Sequence, residues 1–279
     1  MKQEITDNEN RKRGENMPAY YAHDRFGRTV LKQLKGNLRE TILQHRGQYD
    51  IGLQGPDLFF FYKPYTKNRV VRYGNDLHKI SAYPFFEHAL SVVNKRGEYS
   101  GEYAYLLGFI CHFALDSQCH PYVRHMMEKT GVAHLEIEEE FEKKLLRMDG
   151  QDPFSFPMAD LVPQDPETAE AIVPFYRGID LKTVQKSLQD LKRVKKLFTA
   201  PGSLKYGLIN GGMRLTFRYG EVKGLMHQRR DNPRCISSNR GLQKRFDEAV
   251  EVAVHLIQDF EESLRTGKAL DERFDRTFE

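Results

Sequence analysis

The chain has 279 residues, of which 39% are hydrophobic and 29% charged, and its net charge is +4 at pH 7. This length suffices for one large domain or two small ones, and so weak a positive charge does not by itself indicate nucleic-acid binding. The polar first 16 residues lack the apolar stretch of a signal peptide, and no window approaches the roughly 18 apolar residues of a membrane span. We therefore expect a cytoplasmic protein with a disordered polar tail over 1–16 and a folded domain over 17–279.

Apolar residues recur at three and four positions along most of the chain, which is typical of amphipathic helices. In the first half this pattern predicts a helix over 23–45, an irregular segment over 47–73, and helices over 77–93, 102–120 and 132–148. Pro84 is expected in a first turn or at a kink, and Pro121 is expected to help end the helix before it.

The second half is predicted to contain a loop over 149–166, a short helix over 167–176, a long helix over 181–198 that Pro201-Gly202-Ser203 ends, and a last helix over 246–264. This half carries no recognisable motif, and its helices are expected to cover the first half. Neither half shows an alternating strand pattern or an internal repeat. The predicted fold class is all-α, as a single multi-helix domain with a polynuclear metal cleft.

The metal cleft is predicted from the spacing of histidines and carboxylates. His112, Asp116 and His120 follow one another at steps of four, and His134 and Glu138 repeat this step in the next helix. Residues four apart lie on one face of a helix, so two such helices would direct five nitrogen and oxygen ligands into one space. That combination suits zinc. The structural alternative is a buried hydrogen bond between His112 and Asp116, with the other pair on a solvated face.

Three cysteines, Cys111, Cys119 and Cys235, form an odd set without the spacing of a disulfide framework. Two of them fall inside the apolar helix that carries His112. We expect these two thiols to be buried small side chains and not metal ligands.

Five short elements then follow in chain order: Ala22-His23-Asp24, Gly55-Pro56-Asp57, Gly74-Asn75-Asp76-Leu77-His78, His112-x-x-x-Asp116 and His134-x-x-x-Glu138. Together they resemble the zinc-dependent phospholipase C family, which shares its fold and metal set with zinc nucleases that act on single-stranded nucleic acid. No single element is specific, whereas the ordered set is. The resemblance spans roughly half of the chain.

The resemblance implies a helical domain whose cleft holds two or three zinc ions. Carried over to this chain, it implies one ion held by Asp57, His78, His112 and Asp116, a second held by His120, His134 and Glu138, and a third that shares Asp116 and takes His23. It further implies that hydroxide generated at the metal attacks a phosphodiester, with a phospholipid as the substrate. Asp57 would orient the attacking water or accept its proton.

Departures from the family pattern leave alternatives open for two ligands. Secreted members complete the third site with their own N-terminus, whereas polar residues precede Met17 here, so Asp24 is an alternative ligand. The step from Asp116 to His120 is shorter than in the family, which makes His125 an alternative to His120. For His78, the weaker alternative is His88 in the same predicted helix.

Two further stretches have competing interpretations. The aromatic run Leu58-Phe59-Phe60-Phe61-Tyr62, with Tyr65, is expected to pack in the core, and the alternative is a wall that faces lipid or stacks on substrate. Leu58 stands where the secreted phospholipase has an aromatic contact with the choline headgroup, which argues against a choline preference. The basic residues Lys192, Arg193, Lys195 and Lys196 are expected on a solvated helix face, and the alternative is peripheral contact with an anionic membrane.

The leading functional hypothesis is a zinc-dependent phosphodiesterase of the phospholipase C type, acting on a phospholipid or a related phosphodiester. One alternative is a zinc nuclease or nucleotidase, which would need stacking aromatics and a basic groove, although no specific nucleic-acid partner is expected. The other is a non-enzymatic helical protein that metal ions stabilise.

Overall fold

The computed structural model describes residues 19–279, and the predicted polar tail over 1–16 lies outside them. The described residues form helices joined by loops, without a β-strand. The predicted all-α class is therefore confirmed. None of the helices in the described range is long and apolar enough to cross a membrane.

The α-helices, in chain order, are α1 (Tyr20–Gln33), α2 (Gly36–Gln44), α3 (Arg46–Gly52), α4 (Arg69–Lys79), α5 (Tyr83–Arg96), α6 (Gly101–Thr130), α7 (His134–Met148), α8 (Pro166–Ile172), α9 (Leu181–Phe198), α10 (Ser203–Leu215), α11 (Tyr219–Val222) and α12 (Ile236–Thr266). Short 3-10 helices lie at Gly55–Phe61, Met158–Leu161, Val173–Phe175, Lys223–Leu225, Pro233–Cys235 and Glu272–Asp275.

Helix α6 forms the centre of the fold, and every residue from Tyr103 to Asp116 is buried. Helices α3 and α12 pack against it most extensively. The backbones of α3 and α6 approach so closely at Gly52 and Gly108 that a Cβ on Gly108 would overlap the carbonyl oxygen of Tyr49. Only glycine permits this contact, which brings the segment after α3 against the middle of α6.

The predicted first helix over 23–45 is wrong, because the chain forms α1 and α2 with a break between them. Leu34 at the end of α1 is extended and buried, and Gly36 adopts a φ of +55°. The predicted irregular segment over 47–73 is also wrong. It contains α3 and the 3-10 helix Gly55–Phe61, in which every residue is buried. The aromatic side chains of this segment supply the apolar surface that makes it a packed part of the core.

The predicted helix over 77–93 is divided between α4 and α5. At the break, the Ser81 hydroxyl donates to the Asp275 carboxylate at 2.6 Å, and the Ala82 N–H donates to the Arg276 carbonyl at 3.0 Å. These partners lie almost 200 residues further along the chain, so local periodicity does not reveal them. Pro84 lies in the first turn of α5, as predicted.

Pro121 does not end α6, contrary to the prediction. The helix continues to Thr130, and Val123 and Met126 beyond the proline are buried. A proline inside a helix costs roughly 3 kcal/mol, since it removes one backbone hydrogen bond and crowds the preceding turn. Burial of the continued apolar face outweighs this cost.

The second half follows the prediction more closely. Helix α9 has the predicted bounds, the short helix predicted over 167–176 is α8 with the 3-10 turn that follows it, and the break before Ser203 is confirmed. The last helix is longer than predicted, because α12 begins at Ile236 and buries Ser238 and Leu242 before the predicted start. Helix α10 was not predicted, and it belongs to a small separate core around Ala200, Met213 and Met226. All three cysteines are buried and free, which confirms the expected burial of Cys111 and Cys119.

Candidate metal centre

Five side chains that the sequence selects lie together in the core, and we call them the inner group: His23, Asp57, His78, His112 and Asp116. None is more than 5% exposed. They come from α1, the 3-10 helix Gly55–Phe61, α4 and α6. Apart from the imidazole of α4, one donor atom of each lies within 4.8 Å of a donor atom of every other.

The donor distances suit a metal ion of the size of zinc. His112 Nε2 lies 3.2 Å from Asp116 Oδ2 and 4.0 Å from Asp57 Oδ2. His23 Nε2 lies 3.2 Å from Asp116 Oδ1. Because zinc binds nitrogen and oxygen at about 2.0–2.2 Å, two ligands of one ion lie at most about 4 Å apart. These three donor pairs of the inner group meet this limit.

The tautomer of His78 directs its Nε2 at Asp57, where either a second ring proton or a bound metal ion would supply positive charge; burial lowers the pKa of His78, and Asp57 raises it above its ordinary value. Its Nδ1 donates to the carbonyl oxygen of Gly74 at 2.7 Å, which leaves an unprotonated Nε2 on the neutral ring. This Nε2 lies 2.8 Å from Asp57 Oδ1, yet it makes no hydrogen bond of suitable direction to any described residue. Two buried acceptors at this distance repel each other unless a positive charge lies between them. Nε2 of His112 is likewise buried without a hydrogen-bond partner in the described chain.

The remaining predicted ligands form a second set, the outer group: His120, His134 and Glu138. Glu138 Oε1 lies 2.8 Å from His134 Nε2 and 3.5 Å from His120 Nε2. The three side chains are 12–13% exposed, so this group reaches the edge of the core. The spacing of four within α6 and α7 therefore brings these side chains together as the sequence predicts.

Asp116 connects the two groups. Its Oδ1 lies 3.9 Å from His120 Nε2 in addition to its contacts with His23 and His112. Burial raises the pKa of the Asp116 carboxyl, but the three imidazoles lower it more strongly, so its pKa lies well below the ordinary range. The carboxylate therefore stays ionised in the core, where a bound cation would compensate its charge.

In the outer group, as at Asp116, the histidines keep the carboxylate ionised. Burial raises the pKa of Glu138, but the neighbouring His134 and His120 lower it more strongly, so that its pKa is about 2. Burial lowers the pKa of His120, and Asp116 and Glu138 raise it to about 10. The carboxylates thus create a negative electrostatic potential. Protons on the histidines would neutralise it in the absence of metal, and a bound divalent cation would neutralise it in the metal-bound protein.

The alternative ligands lie elsewhere. His125 is exposed on α6 and belongs to neither group. The carboxylate of Asp24 faces Arg28 at 2.9 Å, and Nε2 of His88 lies 2.9 Å from the carbonyl oxygen of Pro174. Burial raises the pKa of the Cys111 thiol to about 12, so this cysteine stays protonated.

The family model described as zinc dependent phospholipase C matches residues 22–188, more than half of the chain. The chain belongs to this family. The matched range contains all eight predicted ligands. Searches among curated proteins and among solved structures found no match. Membership in the zinc-dependent phospholipase C family, together with the buried histidine and carboxylate groups, supports zinc as the cofactor.

Backbone carbonyls orient the histidines of this phospholipase C family member, and the sequence analysis missed them. Nδ1 of His112 donates to the Leu53 carbonyl at 3.2 Å, and Nδ1 of His120 donates to the Phe278 carbonyl at 2.9 Å. Metal-binding histidines commonly donate their second ring N–H in this way, which directs the other nitrogen to the ion. A carbonyl carries no signal in the sequence, and Phe278 is 158 residues away from its partner.

Gly55 is a second missed contributor. It has a φ of +48°, and a Cβ at this position would overlap the ring of His112. Glycine adopts this conformation without strain and leaves room for the imidazole. The Gly-Pro-Asp element therefore places Asp57 and also makes space for His112.

Lys195 is a third residue near the site whose position the sequence analysis missed. Arg193 and Lys196 are exposed, as expected for a solvated face, whereas the Lys195 ammonium lies 5.1 Å from the Tyr20 ring centre and 5.7 Å from the Phe61 ring centre. It shares a pocket with Glu138 of the outer group. Burial lowers its pKa more than the nearby carboxylates raise it. An amine side chain thus lies beside the candidate metal ligands of this family member.

The aromatic run is core, as the sequence analysis favoured. Residues 58–61 are buried, while Tyr65 is 81% exposed. The buried rings offer no surface on which nucleic-acid bases stack.

Proposed function

We propose that the protein is a zinc-dependent phosphodiesterase of the phospholipase C type. The observation that carries the proposal is the position of Asp116, whose carboxylate faces His23 and His112 of the inner group and His120 of the outer group. A carboxylate shared by two adjacent ligand sets suits a site with several metal ions. Such sites clamp the attacking and the leaving oxygen of a phosphoester. Family membership supports a phospholipid as the substrate class.

The proposed ligand sets follow the donor distances. One ion would be held by Asp57, His78, His112 and Asp116, a second by His120, His134 and Glu138, and a third by His23 with Asp116. We expect two or three zinc ions per chain. When bound, zinc would polarise the phosphoryl oxygens as a Lewis acid and lower the pKa of water to about 7.

Two side chains have proposed roles toward the substrate. Asp57 would orient the attacking water and accept its proton. Lys195 would bind a phosphate oxygen, since its ammonium lies in one pocket with Glu138. The water oxygen forms a new bond to phosphorus, the bond between phosphorus and the glycerol oxygen breaks, and that oxygen takes a proton. The products are diacylglycerol and a phosphorylated headgroup.

The test is hydrolysis of phosphatidylcholine and phosphatidylglycerol micelles by zinc-loaded protein, with diacylglycerol release as the readout. His112→Ala should lower turnover by at least about 10²-fold, more than is typical for loss of an outer-shell partner. His125→Ala is the matched control, because this histidine is exposed on the same helix, and it should keep wild-type turnover.

Single-stranded DNA and a phosphomonoester are the comparison substrates. The proposal fails if the wild-type protein releases no more diacylglycerol than His112→Ala. Faster turnover of single-stranded DNA than of lipid would instead favour the nuclease hypothesis.

A further inference from the structure

Exposed apolar side chains are concentrated in one short segment. Among the eleven large hydrophobic side chains that are exposed in the described residues, five lie within residues 197–217. Leu204 and Leu215 are each 78% exposed, Leu208 is 69% exposed and Phe217 is 97% exposed. We call these four residues the leucine face. Such a concentration on a soluble surface indicates an interaction site.

The geometry of α10 shows that the fold does not need these leucines. With 3.6 residues per turn, Leu204, Leu208 and Leu215 lie within about 40° of one another on one side of the helix. Asn210 and Met213 lie on the opposite side and are buried against the small separate core. Helix α10 is therefore apolar on both sides, and only the inner side has a partner within the described chain.

Phe217 supplies a second, independent sign of an interaction site. It follows α10 with a φ of +58°, in the left-handed region that bulky residues avoid. Such a conformation is strained for a residue with a bulky side chain. Here it holds an almost fully exposed phenyl ring beside the leucines, where the folded chain offers nothing to cover it.

The charge around the leucine face identifies the partner. The segment 192–218 contains seven lysines and arginines and no aspartate or glutamate. Lys195 among them faces inward, and Arg193 and Arg218 pair with Asp190 and Glu221 just outside the segment. Lys192, Lys196 and Arg214 remain to face a partner.

Arg214 lies on α10 roughly a quarter-turn to one side of the leucines. Lys205 lies on the other side, where its ammonium donates to the carbonyls of Lys196 at 2.9 Å and Thr199 at 2.7 Å. An apolar stripe bordered by basic residues fits a bilayer with anionic headgroups, where the leucines enter the acyl boundary and the cations meet phosphates.

We infer that the leucine face inserts into the surface of an anionic phospholipid bilayer. The inference rests on the proposed function and deepens it, because binding to the bilayer would bring the proposed phospholipase to its lipid substrate. The 3-10 helix Lys223–Leu225, which follows this segment in the chain, packs closely against α7, since a Cβ on Gly224 would overlap the backbone of Leu135, beside His134. The family match ends at residue 188, so this surface lies outside the matched range.

Vesicle co-sedimentation of the zinc-loaded full chain, with vesicles of phosphonate analogues of the lipids that cannot be cleaved, tests binding without turnover. The wild-type protein should bind vesicles of phosphatidylglycerol and phosphatidylcholine, bind pure phosphatidylcholine vesicles more weakly, and dissociate as salt is raised. The triple variant Leu204→Ser/Leu208→Ser/Leu215→Ser should lose affinity about tenfold or more, because three apolar side chains no longer enter the bilayer. Leu43→Ser on α2 is the matched control, since Leu43 is also exposed, and it should bind like the wild type.

Thermal unfolding and zinc content of the triple variant should equal those of the wild type. Should the triple variant fail to fold, Lys192→Glu/Lys196→Glu keeps the leucines and should still lose binding to anionic vesicles. Equal vesicle binding by wild-type and variant proteins overturns the inference. A wild-type dimer in light scattering that the triple variant abolishes, without vesicle binding by the wild type, also overturns it and assigns the face to a second copy.

Hydrolysis of a water-soluble phosphodiester separates this inference from the proposed function. The triple variant should retain wild-type turnover of that substrate while losing turnover of anionic vesicles. Vesicle binding by a wild-type protein that hydrolyses no phosphodiester would sink the proposed function and leave the membrane surface in place.

Discussion

The inner and outer groups differ in where their ligands come from and in how water reaches them. The inner group unites side chains from four separate elements and is buried, whereas the outer group comes from two consecutive helices and is partly exposed. Metal bound by the inner group should therefore contribute directly to folding, because the ion connects distant parts of the chain. The outer group is partly exposed, so water reaches it. Asp116 faces histidines of both groups, so its loss should weaken metal binding in both.

The largest effect is expected for Asp116→Ala against Glu138→Ala. The first variant should lose nearly all zinc and at least about 10²-fold in turnover, because three histidines of both groups lose their shared carboxylate. The second should lose only the zinc of the outer group. Elemental analysis with lipid hydrolysis measures both, and equal zinc loss in the two variants would contradict the separation into groups.

The next effect concerns the far side of α7, which carries the outer group. The fully buried Lys143 ammonium lies 3.2 Å from Glu139 and 3.0 Å from both Glu140 and Asp231. Lys143→Met should lower the free energy of unfolding by about 3–5 kcal/mol, because it leaves buried carboxylates unpaired. The outer group should then lose zinc before the inner group does.

Lys144→Met is the control for this prediction, since Lys144 donates to the carbonyl of Asn239 at 3.3 Å from the same helix. Chemical denaturation gives the free energies, and a titration with chelator gives the order of zinc loss. A Lys143→Met protein as stable as Lys144→Met would show that the ion network does not hold α7.

A smaller effect is expected at Gly55, which makes room for the inner group. Gly55→Ala would push the Cβ into the ring of His112, while Gly36→Ala meets no atom within 4 Å at a similar positive φ. The control should cost about 1 kcal/mol through backbone strain. Gly55→Ala should cost about 1–3 kcal/mol more and weaken zinc binding by the inner group. Equal melting temperatures for the two variants would mean that His112 moves aside without cost.

The smallest effect is a pH-dependent link between α7 and α1. His227 Nε2 lies 2.9 Å from Glu142, whose other oxygen accepts the N–H of Tyr21 at 2.5 Å. Burial lowers the pKa of His227, and Glu142 raises it above its ordinary value. The stabilisation is therefore complete below the unfolded value of about 6.5 and is lost as pH rises through the folded pKa.

Burial raises the pKa of Glu142, and His227 lowers it below the ordinary value, so the contribution of Glu142 is lost when pH falls through its folded pKa. His227→Gln should thus be less stable than the wild type by about 1 kcal/mol between pH 5 and pH 6, roughly the net value of one hydrogen bond, and nearly equal at high pH. Thermal unfolding across this range checks the sign. A difference that grows with pH would contradict it.

The outer group was the easier of the two to predict. His120, His134 and Glu138 lie within two helices, so a spacing of four suffices to bring them together once the helices are adjacent. The inner group depends on long-range packing. The spacing of four also selected His112 and Asp116, whereas His23, Asp57 and His78 emerged only from the ordered elements that resemble the family. The roles of Gly55 and of the Phe278 carbonyl escaped prediction. Gly55 leaves room for the His112 ring because it lacks a side chain, and Phe278 orients His120 through a backbone carbonyl.

Several helix boundaries were predicted wrongly because they also depend on contacts between residues that are far apart in the chain. Pro121 locally predicts a helix end, yet burial of Val123 and Met126 carries α6 onward. The break at Ser81 depends on Asp275, which no local pattern connects to it.

The sequence by itself determined the all-α class, the bounds of α9, the burial of Cys111 and Cys119, and the choice of candidate ligands that the fold places near one another. These properties follow from periodicity, from side-chain chemistry and from the order of short motifs, all of which are local in the chain. The tertiary structure decided that Asp116 faces both groups, that Lys195 turns inward while its neighbours stay exposed, and that the outward leucines of α10 have no partner within the described chain. These properties depend on which surfaces face each other after packing, and the same amphipathic pattern is compatible with several such arrangements.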